Sequence, residues 1–183
     1  FIGGYFQSFC AMNPALLIPL QLLLTCALQV LFFQNMALWE GYGILTFHTL
    51  GILLLPLNTR PIILMLVSAT VGAVVDLFAF GGGLFTSSAV AMGLFLPFIN
   101  RLLAPREGYE VTDEPSIKSM GIQWFSIRTI AALLIHNLWM FSLEAGRWNL
   151  ILSGWGKAVT STLLCWLLFA VVLQLVQAKG KKR

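Results

Sequence analysis

Polar side chains that could take part in chemistry are few, and they lie inside long apolar stretches. His136 and Asn137 are adjacent in one stretch, and Glu144 follows eight residues after His136. In a helix this spacing places His136 and Glu144 on nearly one face, which should point into the protein. An ionisable group at bilayer depth is costly, so such residues mark a candidate functional site. The candidate intramembrane cluster comprises Asp76, His136, Asn137, Glu144, His48, Ser87 and Ser88.

This cluster allows three interpretations. It could be a set of interhelical hydrogen bonds that fixes packing, a polar pocket for a ligand or for a partner's transmembrane helix, or a catalytic centre. A charge in the membrane is relieved by a partner or by protonation. We therefore expect Asp76 to approach His136, either directly or through one water or residue.

The motifs that catalysis would need are missing. His136 is followed by asparagine, so the H-E-x-x-H signature of zinc proteases is absent. The serine pair at 87–88 lacks the flanking glycines of a nucleophile elbow, and the glycine run at 81–83 lacks the lysine of a phosphate-binding loop. We predict a protein that is not an enzyme, with no catalytic residue, metal site or cofactor. Three scattered cysteines are interpreted as small buried apolar residues: Cys10, Cys26 and Cys165.

The elements that position these residues follow from composition. Of the 183 residues, 58% are apolar and 10% are charged, whereas soluble domains carry about 45–50% and about 25%. Low charge also excludes a disordered chain. Six apolar runs reach the roughly 20 residues that cross a bilayer, and each must be helical because lipid cannot satisfy backbone groups. The predicted fold is an all-α integral membrane protein with six transmembrane helices at about 14–34, 39–57, 62–80, 84–103, 124–143 and 158–177.

The distribution of basic residues predicts the orientation. The net charge is +4. In a membrane protein an excess of basic residues first indicates the orientation in the membrane, rather than nucleic-acid binding. With the N-terminus inside, nine of the eleven Lys and Arg residues are cytoplasmic, and only Arg147 and Lys157 are outside. We therefore place both termini in the cytoplasm. Residues 12–178 form one domain, 179–183 a basic cytoplasmic tail, and we expect 1–11, which precede Met12, to be an upstream or vector-derived segment.

The connections predict which helices are neighbours. Short turns at 58–61 and 81–83 require antiparallel partners. The one long connection, 104–123, carries most of the acidic residues. In its second part Ile117, Met120 and Trp124 have the spacing of a short helix that lies on the membrane interface.

Several segments resemble the MreD family of rod shape-determining proteins. They are L-L-L-P-L-N-T-R-P at 53–61, G-A-V-V-D-L-F at 72–78, R-L-L-A-P-R-E-G-Y-E at 101–110 and I-H-N-L-W-M-F-S-L-E at 135–144. The loop with P-S-I-K at 115–118 is similar to the form found in Bacteroidota. A second histidine is expected at position 137 in many relatives, where this chain has Asn137. The motif residues that carry the resemblance are Asn58, Arg60, Pro61, Gly72, Arg101, Pro105, Arg106, Gly108 and Tyr109.

The resemblance implies a multi-pass, non-enzymatic subunit of the bacterial inner membrane. Such a protein belongs to the elongation (rod) complex, or elongasome, and helps regulate cell shape and lateral peptidoglycan synthesis. It binds MreC and, through MreC, MreB filaments, RodA and a class B penicillin-binding transpeptidase. Its environment is the lipid bilayer, and no nucleic acid is implied.

The family fold is also similar to the S-components of energy-coupling-factor transporters, so a small-solute-binding S-component is the alternative function. An S-component would usually show a face of small residues four apart for docking its coupling partner. The first predicted helix has only Thr25 and Ala27 as small residues within 16–31, which disfavours the alternative.

Overall fold

A computed structural model describes residues 14–38, 43–106, 108–109, 115–147 and 150–179. Apart from one pair of two-residue strands and a 3-10 turn at Phe33–Asn35, the regular structure of this part of the chain is helical. The elements are α1 (Pro14–Leu31), β1 (Ala37–Leu38), β2 (Gly43–Ile44), α2 (His48–Leu53), α3 (Pro61–Ala79), α4 (Leu84–Leu102), α5 (Ile117–Met120), α6 (Ile122–Ala145) and α7 (Ile151–Lys179).

Within the described residues, four helices are long and apolar enough to cross a membrane, namely α3, α4, α6 and α7. The chain is therefore a multi-pass membrane protein by the length and composition of its helices. The all-helical membrane class is confirmed, whereas the described residues do not confirm the predicted count of six transmembrane helices. Helix α1 is apolar but shorter, and α7 begins at Ile151, seven residues before its predicted start, so Lys157 lies within the helix.

The predicted continuous helix at 39–57 is wrong for the described part of this segment. Gly43 and Ile44 form β2, which pairs antiparallel with β1, and α2 is only six residues long. The reason is that α7 offers partners to backbone N–H groups that a helix would have bonded internally. The Ile44 N–H donates to Ser161 Oγ at 3.0 Å, and the Thr46 N–H donates to Cys165 Sγ at 3.3 Å.

Residues 43–57, called the broken crossing below because a membrane-spanning helix was predicted at 39–57, nevertheless run antiparallel to α1. At its start Leu45 accepts a hydrogen bond from Gln29, and further along Gly51 accepts one from Gln21. Every residue of α2 is buried. Irregular backbone at membrane depth is tolerated only where protein covers it. The burial of α2 and its hydrogen bonds to α1 thus allow irregular backbone inside the bundle.

Helices α3 and α4 form the predicted antiparallel hairpin and pack closely. Pro61 occupies the start of α3, where its missing N–H costs nothing. The turn has Phe80 in the left-handed region (φ 52°), followed by Gly82 and Gly83 with positive φ. Within the hairpin Gly72 lies so close to α4 that an added Cβ would be 2.6 Å from Thr86 Cα. A glycine is therefore required at this contact.

The apolar core is formed by residues of α1, the broken crossing, α3, α4, α6 and α7. Two of the three cysteines, Cys26 and Cys165, are buried in it as predicted. Cys10 lies outside the described residues. Many large apolar side chains on α3, α4 and α7 are exposed, as expected for helices that face lipid.

Candidate functional site

Four of the predicted polar residues, on α2, α4 and α6, lie together and are joined by hydrogen bonds and by one contact between imidazole rings; they are called the histidine network below. His136 Nε2 lies 3.2 Å from Ser88 Oγ, and His136 Nδ1 lies 3.3 Å from Asn137 Oδ1. The rings of His48 and His136 are 5.3 Å apart. All four residues are fully buried. The network therefore joins α4, α6 and the broken crossing in the interior of the bundle.

Two further polar side chains extend the network to α1 and α7. Gln29 Oε1 accepts from the backbone N–H of His48 at 3.3 Å and lies 3.4 Å from His48 Nδ1. On the other side Asn137 Nδ2 donates to Thr162 Oγ1 at 3.0 Å. Five elements are thus linked by side chains that are isolated from solvent.

The partners assign the protons of the two imidazoles. Asn137 donates to Thr162, which itself donates to Ala158 O at 2.7 Å, so Asn137 Oδ1 accepts from His136 Nδ1. Ser88 Oγ, which carries one proton, also lies 2.8 Å from Leu84 O and 3.1 Å from Phe85 O, so these three acceptors compete for it. His48 donates from Nδ1 to Gln29, which leaves His48 Nε2 as a buried acceptor with no partner among the described residues. Both ring nitrogens of His136 thus have polar neighbours, whereas only one ring nitrogen of His48 does.

The other three predicted cluster residues have different partners. Ser87 donates to Leu84 O in its own helix. Glu144 is exposed near the end of α6, beside a cavity of about 270 Å³ that Lys157 also lines. The Asp76 carboxylate is not hydrogen-bonded to His136. The predicted cluster therefore separates into a buried network and three residues that lie outside it.

Asp76 caps the N-terminus of α4. Its carboxylate accepts from the N–H of Phe85 at 3.2 Å, from the N–H of Thr86 at 2.7 Å, and from the Thr86 hydroxyl. A carboxylate at a helix N-terminus satisfies orphan N–H groups and is stabilised by the helix dipole. Gly72 lies one turn before Asp76, and because it has no side chain, Phe85 and Thr86 of α4 can approach it closely. The Gly-x-x-x-Asp motif thus has a structural explanation in the α3–α4 hairpin.

A second polar group, which we call the arginine cluster, lies at the opposite end of the bundle. Arg128 is only 1% exposed, and its Nε donates to Asn100 Oδ1 at 2.7 Å while Nη1 donates to Leu53 O at 2.8 Å. Its guanidinium carbon lies 5.4 Å from the centre of the Trp124 ring. Among the described residues it has no acidic partner. A buried cation is thus held by neutral acceptors and by an aromatic face.

Two aromatic side chains close the end of α4 beside this cluster. The Tyr109 hydroxyl donates to Asn100 O at 2.8 Å, and Trp124 Nε1 donates to Leu103 O at 3.1 Å. The last carbonyls of a helix have no partner within it. Tyr109, a motif residue in the loop, therefore supplies a hydrogen-bond donor to a carbonyl in the last turn of α4.

The arginine cluster was not predicted from the sequence, because Arg128 was counted with the cytoplasmic charges. The available signal was its position four residues inside the predicted helix at 124–143, where an arginine is costly. Gln29, Thr162 and Cys165 were missed for a different reason. A single polar residue in an apolar run does not indicate a site by itself, because the sequence does not show its hydrogen-bond partners.

Most of the motif residues gather around one cavity of about 340 Å³. Its walls are the turn before α3, the last turns of α4 and the loop that follows. The motif residues that line it are Asn58, Arg60, Pro61, Arg101, Gly108 and Tyr109. Segments about fifty positions apart in the chain thus form one surface.

No model of a protein family, no curated protein and no solved structure matches the chain. Within the described residues no three His, Cys, Asp or Glu side chains are placed to hold a metal ion. The chemistry that the site supports therefore has to be inferred from its hydrogen bonds and charges.

The link between α6 and α7 can be tested by Asn137→Leu, which retains the side-chain size and removes two hydrogen bonds. Hydrogen bonds between membrane helices contribute about 0.6 kcal/mol each on average, so we expect a loss of roughly 1 kcal/mol in the free energy of unfolding. The measurement is unfolding by a denaturing detergent. Thr70→Val serves as control, because exposed Thr70 bonds only to Leu66 O in its own helix. An equal loss in both variants would contradict a role for the network in packing.

Proposed function

We propose that this chain is a non-enzymatic inner-membrane subunit of the bacterial elongation complex, of the MreD type, with both termini in the cytoplasm. In this role it binds MreC and helps regulate cell shape and lateral peptidoglycan synthesis. MreC would connect it to MreB filaments, to RodA and to a class B penicillin-binding transpeptidase.

The observation that carries the proposal is the convergence of the motif residues. Arg60 precedes α3, Arg101 lies in the last turn of α4 and Tyr109 lies in the loop, yet all three line one cavity. Gly72 contacts the first turn of α4 at the other end of the hairpin. Residues that matched a family only by chance would not be expected to line one cavity. Their convergence supports the resemblance on which the proposal is based.

The histidine network favours a scaffold over a solute-binding S-component. A solute site needs polar groups that point into an open pocket. Here Ser88, His136 and Asn137 are fully buried and bond to one another or to α7. Side chains so arranged hold helices together, which is the role expected of a subunit that presents a fixed surface to its partners.

Co-purification with MreC tests the proposal. The tagged chain is co-expressed with the MreC of the same genome, extracted in mild detergent and captured, with an unrelated single-span membrane protein as the control bait. We expect MreC to be retained by this chain and washed from the control. In cells depleted of the chain we also expect rods to become round, and the plasmid-borne chain to restore them.

The alternative makes the opposite prediction for the same preparation. An S-component should retain a small solute, which mass spectrometry of the purified protein would detect, and should leave MreC unbound. That combination would overturn the proposed function.

A further inference from the structure

The cavity lined by the motif residues contains positive charges that the packing of the helices does not require. Arg60 and Arg101 lie on different walls, and both are exposed. Neither guanidinium has an ion pair or a hydrogen bond among the described residues. None of the described residues that line the cavity is acidic. Two arginine side chains without a partner among the described residues therefore line one volume of about 340 Å³.

Groups behind these arginines add to the positive potential. Asn100 also lines the cavity, and its Oδ1 is occupied by Arg128, so its amide nitrogen is left as a donor without a partner among the described residues. Arg128 places a third positive charge behind Asn100. The N-terminus of α3, which has no side-chain cap, forms part of the wall and contributes the positive end of a helix dipole.

Two carbonyls near the C-terminus of α4 already accept hydrogen bonds from aromatic side chains. The C-terminus of α4 also borders the cavity, and its carbonyls would repel an anion. Tyr109 donates to Asn100 O and Trp124 donates to Leu103 O, so these carbonyls have donors of their own. The net effect is a site suited to an anion. Arginine side chains suit phosphate oxygens best, because each guanidinium can donate two hydrogen bonds.

The surroundings of the cavity indicate that the anion is attached to a lipid. Residues next to its lining in sequence are large, apolar and exposed, including Ile62 on α3 and Phe98 and Leu102 on α4, which are 60–70% exposed. These side chains would contact acyl chains if the helices span the bilayer. Basic pockets between membrane helices bind lipid headgroups by this combination of features.

We infer that the cavity between the start of α3, the end of α4 and the loop after α4 binds the phosphate of an anionic phospholipid headgroup through Arg60 and Arg101. This inference does not depend on the proposed function. The same phosphate chemistry could be supplied by a soluble phosphate, and the experiment distinguishes the two sources.

The test is thermal unfolding of the purified full chain in mild detergent at fixed ionic strength. The probes are short-chain phosphatidylglycerol, short-chain phosphatidylcholine and sodium phosphate. A ligand that binds only the folded state raises the unfolding temperature as its concentration increases. We expect phosphatidylglycerol to give the largest rise. A matching rise from sodium phosphate alone would support the phosphate site and identify its source as soluble.

The matched variants are Arg60→Gln with Arg101→Gln, and Arg106→Gln with Arg147→Gln. Both pairs remove two positive charges, but Arg106 and Arg147 do not line the cavity. We expect the first pair to weaken apparent phosphatidylglycerol binding at least about tenfold, since charge-assisted hydrogen bonds are lost, and the second pair to leave it unchanged. If the double variant is not recovered, Arg101→Gln alone should show a reduced rise. Equal shifts in the two pairs, or an equal rise with phosphatidylcholine, would overturn the inference.

Discussion

Gly72→Ala is expected to destabilise the protein by about 1–3 kcal/mol, the usual cost of forcing extra volume into a close-packed contact. The added Cβ would lie 2.6 Å from Thr86 Cα and 2.7 Å from Phe85 O. Both are backbone atoms of α4, so no side-chain rotation can relieve the overlap. The helices must separate at the level where Asp76 holds the first turn of α4, and the hydrogen bonds of that cap are expected to lengthen as well.

The matched control is Gly156→Ala. Gly156 lies in α7, and an added Cβ there would have nothing within 4 Å. Alanine is the better helix former by up to about 1 kcal/mol, so this variant should be neutral or slightly more stable. Unfolding by a denaturing detergent measures both. If the two variants unfold alike, the close approach of α3 and α4 does not limit stability.

Arg128→Lys should destabilise the protein by about 2 kcal/mol or more, and by more than Arg128→Met. Lysine retains the buried charge and its desolvation cost but has no planar fork to bond Asn100 Oδ1 and Leu53 O together, and it packs less well on Trp124. Methionine also leaves both acceptors unbonded, yet it removes the cost of burying a cation.

The order of these two variants is the decisive result. Equal stability of the wild-type protein and Arg128→Lys would mean that positive charge alone is needed at this position. A larger loss for methionine than for lysine would mean that the charge itself, rather than the geometry of the fork, stabilises the end of α4. Both measurements use the same detergent unfolding, and Arg147→Lys, an exposed arginine in the turn after α6, controls for the substitution itself.

Sequence analysis predicted the features that depend on local composition. The apolar runs at 61–79 and 84–102 are close to their predicted bounds, and the glycine turn between them makes the predicted hairpin. The prediction is wrong where hydrogen bonds to a distant part of the chain determine the conformation. Residues 39–57 are apolar enough for a helix, but Ser161 and Cys165 on α7 bond their backbone, and no local pattern reports those contacts.

The candidate site was predicted only in part, again because the sequence does not show which distant residues become partners. His48, Ser88, His136 and Asn137 were identified because polar residues stand out in apolar runs, and the structure brings them together. Asp76 was expected to neutralise a histidine. It serves the nearest helix N-terminus instead, because backbone N–H groups nine and ten residues away are closer partners than a side chain on α6.

The broken crossing also sets an order of events during synthesis. Its backbone groups at Ile44 and Thr46 are completed by α7, which is the last described element to leave the ribosome. A lone segment with unbonded amides is not stable in lipid. The native partners of these two N–H groups lie 117 and 119 residues later in the chain. An incompletely translated chain that ends before α7 therefore lacks the side chains that bond the backbone of Ile44 and Thr46.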